Sequence, residues 1–286
     1  MGKHIWWKVI LIVLGSCIIL IAVLVTIDNM LFKQRIKNEV SGIFNGIGEI
    51  KSSVITEEDI KGLPEPVQRY LRYTGVLGRE NISAVRLKQR GFFRQGDRPW
   101  MPFEAEQYYT TDPPGFIWAV SMKAFPFFSI RGRDMYYEGK GNMLIKLPPF
   151  IKIADARGEE IDQGTLLRFL NEIMWFPTAY LNEYIQWEAI DSTSARATMS
   201  YRGVTASAVL YFNEKGEMTD FVAKRYMSID GGYSLETWST PIKEYREING
   251  IRLPVKGEGV WKLSSGDFTY IKLEIIDIEY NNPHPY

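Results

Sequence analysis

The chain has 286 residues, 34 basic and 34 acidic side chains and no net charge, and 14% of it is aromatic. Lys3, Lys8, Lys33, Arg35 and Lys37 stand against Asp28 alone near the start, so the remainder carries an acidic excess of about four and lacks the positive footprint of a nucleic-acid surface. With His4 and His284 in the terminal segments and Cys17 as the one cysteine, a Ser-His-Asp site, a Cys-His pair, a His-based zinc site and any intrachain disulfide are excluded from the body of the protein; no metal or cofactor is expected.

Val9 to Ile27 form an uncharged apolar run of 19 residues. As a helix it spans roughly 28 Å, close to the hydrocarbon thickness of a bilayer. It is longer than a signal-peptide apolar core and no A-x-A-like site follows it, so an uncleaved anchor is expected. Leu14-Gly15-Ser16-Cys17 loosely matches a lipoprotein-processing site, but Cys17 lies mid-run with apolar residues after it. Trp6 and Trp7 suit the membrane interface. Positive charge flanks both ends, so orientation rests on the ease with which long domains translocate: the expectation is a single-pass cell-membrane protein with an extracytoplasmic C-terminal domain.

Beyond the anchor, Ile36, Val40, Ile43, Phe44, Ile47 and Ile50 recur at spacings of three and four, one apolar stripe on a juxtamembrane helix whose default is packing on the domain. Thr56-Glu57-Glu58-Asp59 reads as a helix start with acidic residues in its first turn. Leu63-Pro64-Glu65-Pro66 opens a second short helix with Val67, Tyr70 and Leu71 on one face and Gly75 as its stop.

From Ile82 the pattern becomes one of strands. Turn signals fall at Gly96-Asp97, Lys215-Gly216, Gly231-Gly232, Asn249-Gly250 and Gly266-Asp267. The spacing of the last four predicts strands long enough to twist and curl. Ile271, Leu273 and Ile275 share a face, whereas Ile276, Ile278 and Tyr280 share the opposite one, which predicts a bulge or bend at Ile275-Ile276. One helix interrupts the strands: Asp162 caps it, Leu166, Leu167, Leu170, Ile173 and Met174 form its buried stripe, and Pro177 stops it.

The predicted architecture is α+β, an antiparallel β half-barrel wrapped on a central helix and preceded by a transmembrane helix and a short helical neck. Its expected divisions are 1–35 for the anchor, 36–80 for the neck and 81–282 for the half-barrel.

Candidate ligand-binding residues are Glu106, Tyr108, Trp118, Asp162, Arg168, Glu172, Trp175, Arg225 and Trp238. Asp155, Glu159, Glu160 and Asp162 form the densest acidic stretch, which either complements a helix dipole or serves acid–base chemistry beside Arg168 and Glu172. Arg168 and Glu172, four apart, also fit an ordinary helix-face pair. Glu104, Glu106 and Tyr108 share one strand face, read as a solvated face or a polar cavity mouth, with Ala105, Gln107 and Tyr109 on the other. Arg225 sits among Phe221, Ala223, Met227 and Ile229, either partnered inside a cavity by Glu106 or Glu172 or snorkelling to its rim. Trp118, Trp175, Phe176, Trp238 and Trp261 either fill core or line a pocket.

The stretches LPEPVQRYLRYTGV at 63–76, RPWMPFEAEQYY at 98–109, DPPGFIW at 112–118 and IDQGTLLRFLNEIMWFPTAYL at 161–181 resemble an uncharacterised bacterial family of unknown function over nearly everything after position 60. That resemblance implies no activity. More distantly, the strand layout with PPGFIW after a hairpin, and EYREINGIRLPVKGEGVW at 244–261, resembles LolA-type lipoprotein carriers. Those are half-barrels closed by helices over an apolar cavity, which implies a hydrophobic ligand here; a membrane anchor departs from a soluble shuttle.

The leading expectation is an envelope protein that binds a lipid or other hydrophobic ligand, or an envelope partner, without catalysis. The alternatives are a hydrolase or isomerase using Glu106, Asp162 or Glu172 with Arg168 or Arg225, and a structural or sensory envelope protein. Its partners are then the bilayer, through the N-terminal helix, and a hydrophobic ligand, with no nucleic acid.

Overall fold

A computed structural model describes residues 2–48, 53–124 and 129–286. The apolar run and the stripe that follows it share a single helix, α1 (Gly2–Asn45); Ile50 of the stripe lies outside the described residues. The large apolar side chains of α1 from Trp6 to Val23 are exposed, and among the described residues it is the one helix long and apolar enough to cross a membrane. The segment is compatible with a single-pass anchor or a signal sequence. After it come α2 (Glu57–Ile60) and α3 (Glu65–Thr74), which buries Val67, Tyr70 and Leu71 and ends at Gly75 in a left-handed conformation.

The first run of strands is β1 (Ala84–Phe93), β2 (Met101–Thr111), β3 (Pro114–Lys123), β4 (Ser129–Tyr137), β5 (Lys140–Leu147) and β6 (Ile151–Ala156). Helix α4 (Glu159–Glu172) follows, with two 3-10 turns at Ile173–Trp175 and Pro177–Leu181. The second run is β7 (Ile185–Asp191), β8 (Ser194–Tyr201), β9 (Val204–Phe212), β10 (Met218–Ile229), β11 (Gly232–Ser239), β12 (Ile242–Ile248), β13 (Ile251–Leu263) and β14 (Gly266–Tyr280).

All of them join one antiparallel sheet in the order β6-β5-β4-β3-β2-β1-β14-β13-β11-β10-β9-β8-β7, with β12 paired to β13 off that path. The chain thus builds outward from β1 to one edge, crosses through α4, and returns from the other edge until β14 zips onto β1, Val85 opposite Tyr280 and Phe93 opposite Ile271. Long twisted strands coil the sheet into a half-barrel with α4 on its concave face. The expected irregularity in β14 is a bulge: Lys88 faces Asp277 and Gln89 faces Ile275, so Ile276 is the extra residue and points out while Ile275 and Ile278 are buried.

Each face of β2 and β3 has its own partner. Inward, Ala105, Tyr109, Phe116 and Trp118 join the main core with Phe169, Trp175 and Phe176. Outward, Ala84, Tyr108, Ile117 and Leu144 pack under Phe32, Ile36, Val40, Ile43 and Phe44 of α1. Polar contacts fix α1 along β4 and β5: Lys146 Nζ donates to Asp28 Oδ1 at 2.7 Å, Arg131 to the Asn29 carbonyl at 3.3 Å, and Arg133, 1% exposed, pairs with Glu39 at 3.1 Å. Burial lowers the Arg133 pKa and the Glu39 carboxylate opposes that shift.

Gly141 sets the seat of α4. A Cβ there would lie 2.6 Å from the Ile161 carbonyl oxygen, a backbone atom that cannot swing aside. Gly141→Ala is therefore expected to destabilise the protein by about 1–3 kcal/mol, the usual range for overpacking, read as a shifted chemical-denaturation midpoint.

Candidate functional site

The hollow between α4 and the sheet is not filled completely. Aromatic side chains occupy its deep part: Tyr109 packs its ring 4.7 Å from Phe176, and Trp175 donates its indole N–H to the Pro254 carbonyl at 3.0 Å. Between that core and the ends of β1, β3 and β5 at Phe93, Met122 and Ile145 remains a cavity of about 250 Å³. Trp118, Val120, Met143, Met174, Trp238 and Leu273 make its wall mainly apolar.

A chain of buried hydrogen bonds crosses its floor. Trp118 donates to Gln89 at 3.0 Å, Gln89 to Gln107 at 3.0 Å and Gln107 to Glu172 Oε2 at 2.7 Å. Tyr109 gives its hydroxyl hydrogen to the same oxygen at 2.9 Å, and Arg168 Nε donates to Glu172 Oε1 at 2.6 Å. Arg168 Nη1 reaches Asp134 at 2.7 Å, while its plane stands 4.6 Å from the Trp118 ring. Desolvation pulls the arginine down, but Glu172 and Asp134 outweigh it and hold the guanidinium protonated. Burial, then the Glu172 charge, raises the Tyr109 hydroxyl well above its usual range, so it stays a neutral donor.

Arg225 is different. Its guanidinium lies 4.5 Å from the Trp238 ring centre and 5.8 Å from that of Trp261, its Nη1 contacts the Tyr270 hydroxyl at 3.4 Å, and its buried Nε has no partner. Glu236 stands opposite it on β11 but accepts from Ser234 instead, at 2.6 Å. The other charges around the cavity are matched: Lys256 with Glu244 at 2.6 Å, and Glu258 between Lys243 at 3.5 Å and Lys272 at 3.4 Å. Among the described residues, Arg225 makes no ion pair; neither Glu106 nor Glu172 partners it.

Of the candidates read from the sequence, Trp118, Arg168, Glu172, Trp175, Arg225 and Trp238 come together at this cavity. Glu106 and Tyr108 do not. Strand alternation turns them to the outer face, where the Tyr108 hydroxyl donates to Glu106 at 2.9 Å and both line a cleft of about 790 Å³ beneath α1. Asp162 is a second departure: α4 begins three residues earlier behind Gly158, and the Asp162 carboxylate instead accepts from the Gly141 amide at 2.7 Å and Lys140 at 2.9 Å, tying helix to hairpin. Asp155 bonds Asn142 at 2.9 Å. Glu106, Asp162 and Glu172 therefore do not converge, as paired-carboxylate chemistry requires. Gln89, Gln107, Tyr109 and Asp134 were not among the candidates. The Ala105, Gln107, Tyr109 alternation is the signal for two of them: a glutamine between small and aromatic residues on an inward face needs a buried partner.

The molecule is thus a curled half-barrel with a small, largely apolar cavity beside a buried ionic network, carried behind a long apolar helix. The chain belongs to DUF6544, a family of unknown function whose model matches residues 53–273. None of the curated proteins matches the sequence. Among solved structures it is similar to a DUF1329 family protein from Desulfovibrio piger, with 10% identity and a TM-score of 0.44 over 77% of this chain and 94% of that one. It is also similar to a LolA superfamily protein from Nitrosomonas europaea, with 12% identity and a TM-score of 0.42 over 76% of this chain and 94% of that one.

Proposed function

We propose that this is a membrane-tethered binding protein whose concave cavity holds the acyl part of an amphiphile with an acidic head group. The single observation that carries this is Arg225, a guanidinium without a carboxylate at the wall of a mainly apolar cavity whose other charges are matched. A charge in such a place is stabilised by an anionic partner, and a carboxylate or phosphate matches the guanidinium fork. The cavity is just below the range usual for small-molecule pockets, which suits a slender chain rather than a bulky ring system. The ionic network on its floor holds the walls apart, since a satisfied buried network resists collapse. The helix α1, on this reading, spans the membrane and holds the half-barrel at its outer surface.

The test is mass spectrometry of organic extracts from the purified full-length chain, with binding of a fluorescent fatty acid measured in parallel. Gly257 supplies the control. A Cβ there meets only the Pro241 carbonyl oxygen, at an ordinary 3.5 Å, so the position accepts a side chain that enters the cavity. Gly257→Leu is expected to abolish fatty-acid binding while the denaturation midpoint stays near that of the wild type. An empty extract together with no binding by the wild type would remove the proposal.

A further inference from the structure

We propose that the hairpin joining β5 and β6 is a second membrane contact, whose tip inserts its apolar side chains into the bilayer beside α1. This rests on the reading of α1 as a membrane anchor. The direction follows from the docking of α1. Along the helix, Asp28 meets Lys146, Asn29 meets Arg131, Glu39 meets Arg133 and Gly46 abuts Tyr137, so α1 runs parallel to β4 and its apolar run leaves the sheet at the end where β4 begins and β5 finishes. Asp28 directly follows Ile27, the last residue of the run, and so marks the hydrocarbon boundary. Lys146 shares that level through its 2.7 Å contact with Asp28, and the Phe150 ring lies 6.0 Å from the same ammonium.

β5 heads toward the membrane, so the residues after Lys146 go further in that direction before β6 turns back. They are the wrong residues for water. Phe150 is 48% exposed and Ile151 54%, the latter opening β6 at the edge of the sheet and paired with Leu147, one step beyond the Lys146–Lys152 level. Phe150 also adopts φ 59°, a left-handed conformation that a bulky residue takes only under strain and that Gly or Asn would adopt with less. Keeping phenylalanine there is explained by a partner for its ring. The hydrocarbon edge supplies one, and Lys146 just above it suits the headgroup level. The contact seats the membrane-side ends of β1, β3 and β5, where Phe93, Met122 and Ile145 border the cavity, toward the lipid.

The experiment uses the full chain in proteoliposomes with a quencher-bearing lipid and one environment-sensitive fluorophore per molecule. Cys17, the native cysteine, reports on the anchor. Phe150→Cys and Glu138→Cys, each in a Cys17→Ser background, report on the hairpin tip and on the exposed β4–β5 turn at the opposite end. The expected result is loss of roughly half or more of the emission at positions 17 and 150 and little at 138, as follows from a hydrocarbon layer about 30 Å thick. Quenching at 17 without quenching at 150 would overturn the second contact and leave the anchor standing. No quenching at 17 would remove the anchor and this proposal with it. Equal quenching at 150 and 138 would overturn the orientation.

Discussion

Glu172→Ala is expected to destabilise the protein by about 3–5 kcal/mol, the range for breaking a buried ion pair by removing one partner. Its carboxylate is buried and takes hydrogen bonds from Arg168, Gln107 and Tyr109. The truncation leaves an amide and a hydroxyl unsatisfied in the core, each worth about 1–3 kcal/mol, and strips Arg168 of one of its two counter-charges. Asp134 keeps Arg168 from being isolated, which holds the loss inside that range. Glu172→Gln preserves the volume but must aim its amide hydrogens at one of the donors, so a smaller loss is expected. The loss is expected to be constant across the neutral range, because Arg168 stays charged and Tyr109 neutral there. Urea denaturation of the full-length variants in detergent, followed by tryptophan fluorescence, reads both. An alanine variant within about 1 kcal/mol of wild type would show that the network does not support the cavity floor.

Arg225→Met is expected to weaken binding of a long-chain fatty acid by roughly 10- to 150-fold, the equivalent of about 1.5–3 kcal/mol for a hydrogen bond to a charged group. The methionine keeps the apolar contact with Trp238 and removes only the charge. A neutral monoacylglycerol of the same chain length should lose little, and that split separates the head-group role from a change in cavity shape. Arg225→Lys is expected to fall between, since an ammonium keeps the charge but neither stacks as a plane nor offers a fork. Stability should change little, because no native carboxylate is orphaned. Equal losses for the acid and the neutral ester, by titration calorimetry or displacement of a fluorescent probe, would refute the head-group assignment.

Much of the fold was legible because it is written in local pattern. The apolar run, the Pro-opened helix ending at Gly75, the glycine-marked turns and the parity change at Ile275-Ile276 depend on near neighbours, and the structure has them, the turn before β14 lying two residues ahead of Gly266-Asp267. Candidate residues on α4 and the second run of strands, Arg168, Glu172, Trp175, Arg225 and Trp238, were recognisable for the same reason: a charged or indole side chain on an otherwise apolar face stands out. Glu106 and Tyr108 lie at the outer cleft and not at the inner cavity, because alternation says that two faces differ and not which is concave. Asp162 is not the cap the sequence suggested, because the helix starts behind Gly158 and places Asp162 inside its first turn, where its carboxylate holds the Gly141 amide.

The sequence by itself determined the elements: an apolar run, an amphipathic stripe after it, long twisting strands, and a single interrupting helix with a leucine-rich stripe; that run and stripe share one helix came from the structure. Only the tertiary structure decided which strand face turns inward, because that depends on α1 covering the outer surface of β2 and β3 while α4 covers the inner one. The closure of β14 on β1 joins residues nearly 200 positions apart, the packing of α4 on β2 sets Gln107 and Tyr109 against Glu172, and the pairing of β10 leaves Arg225 without an acid. Contacts of that kind are made by the packing of distant segments, and no window of neighbouring residues contains them.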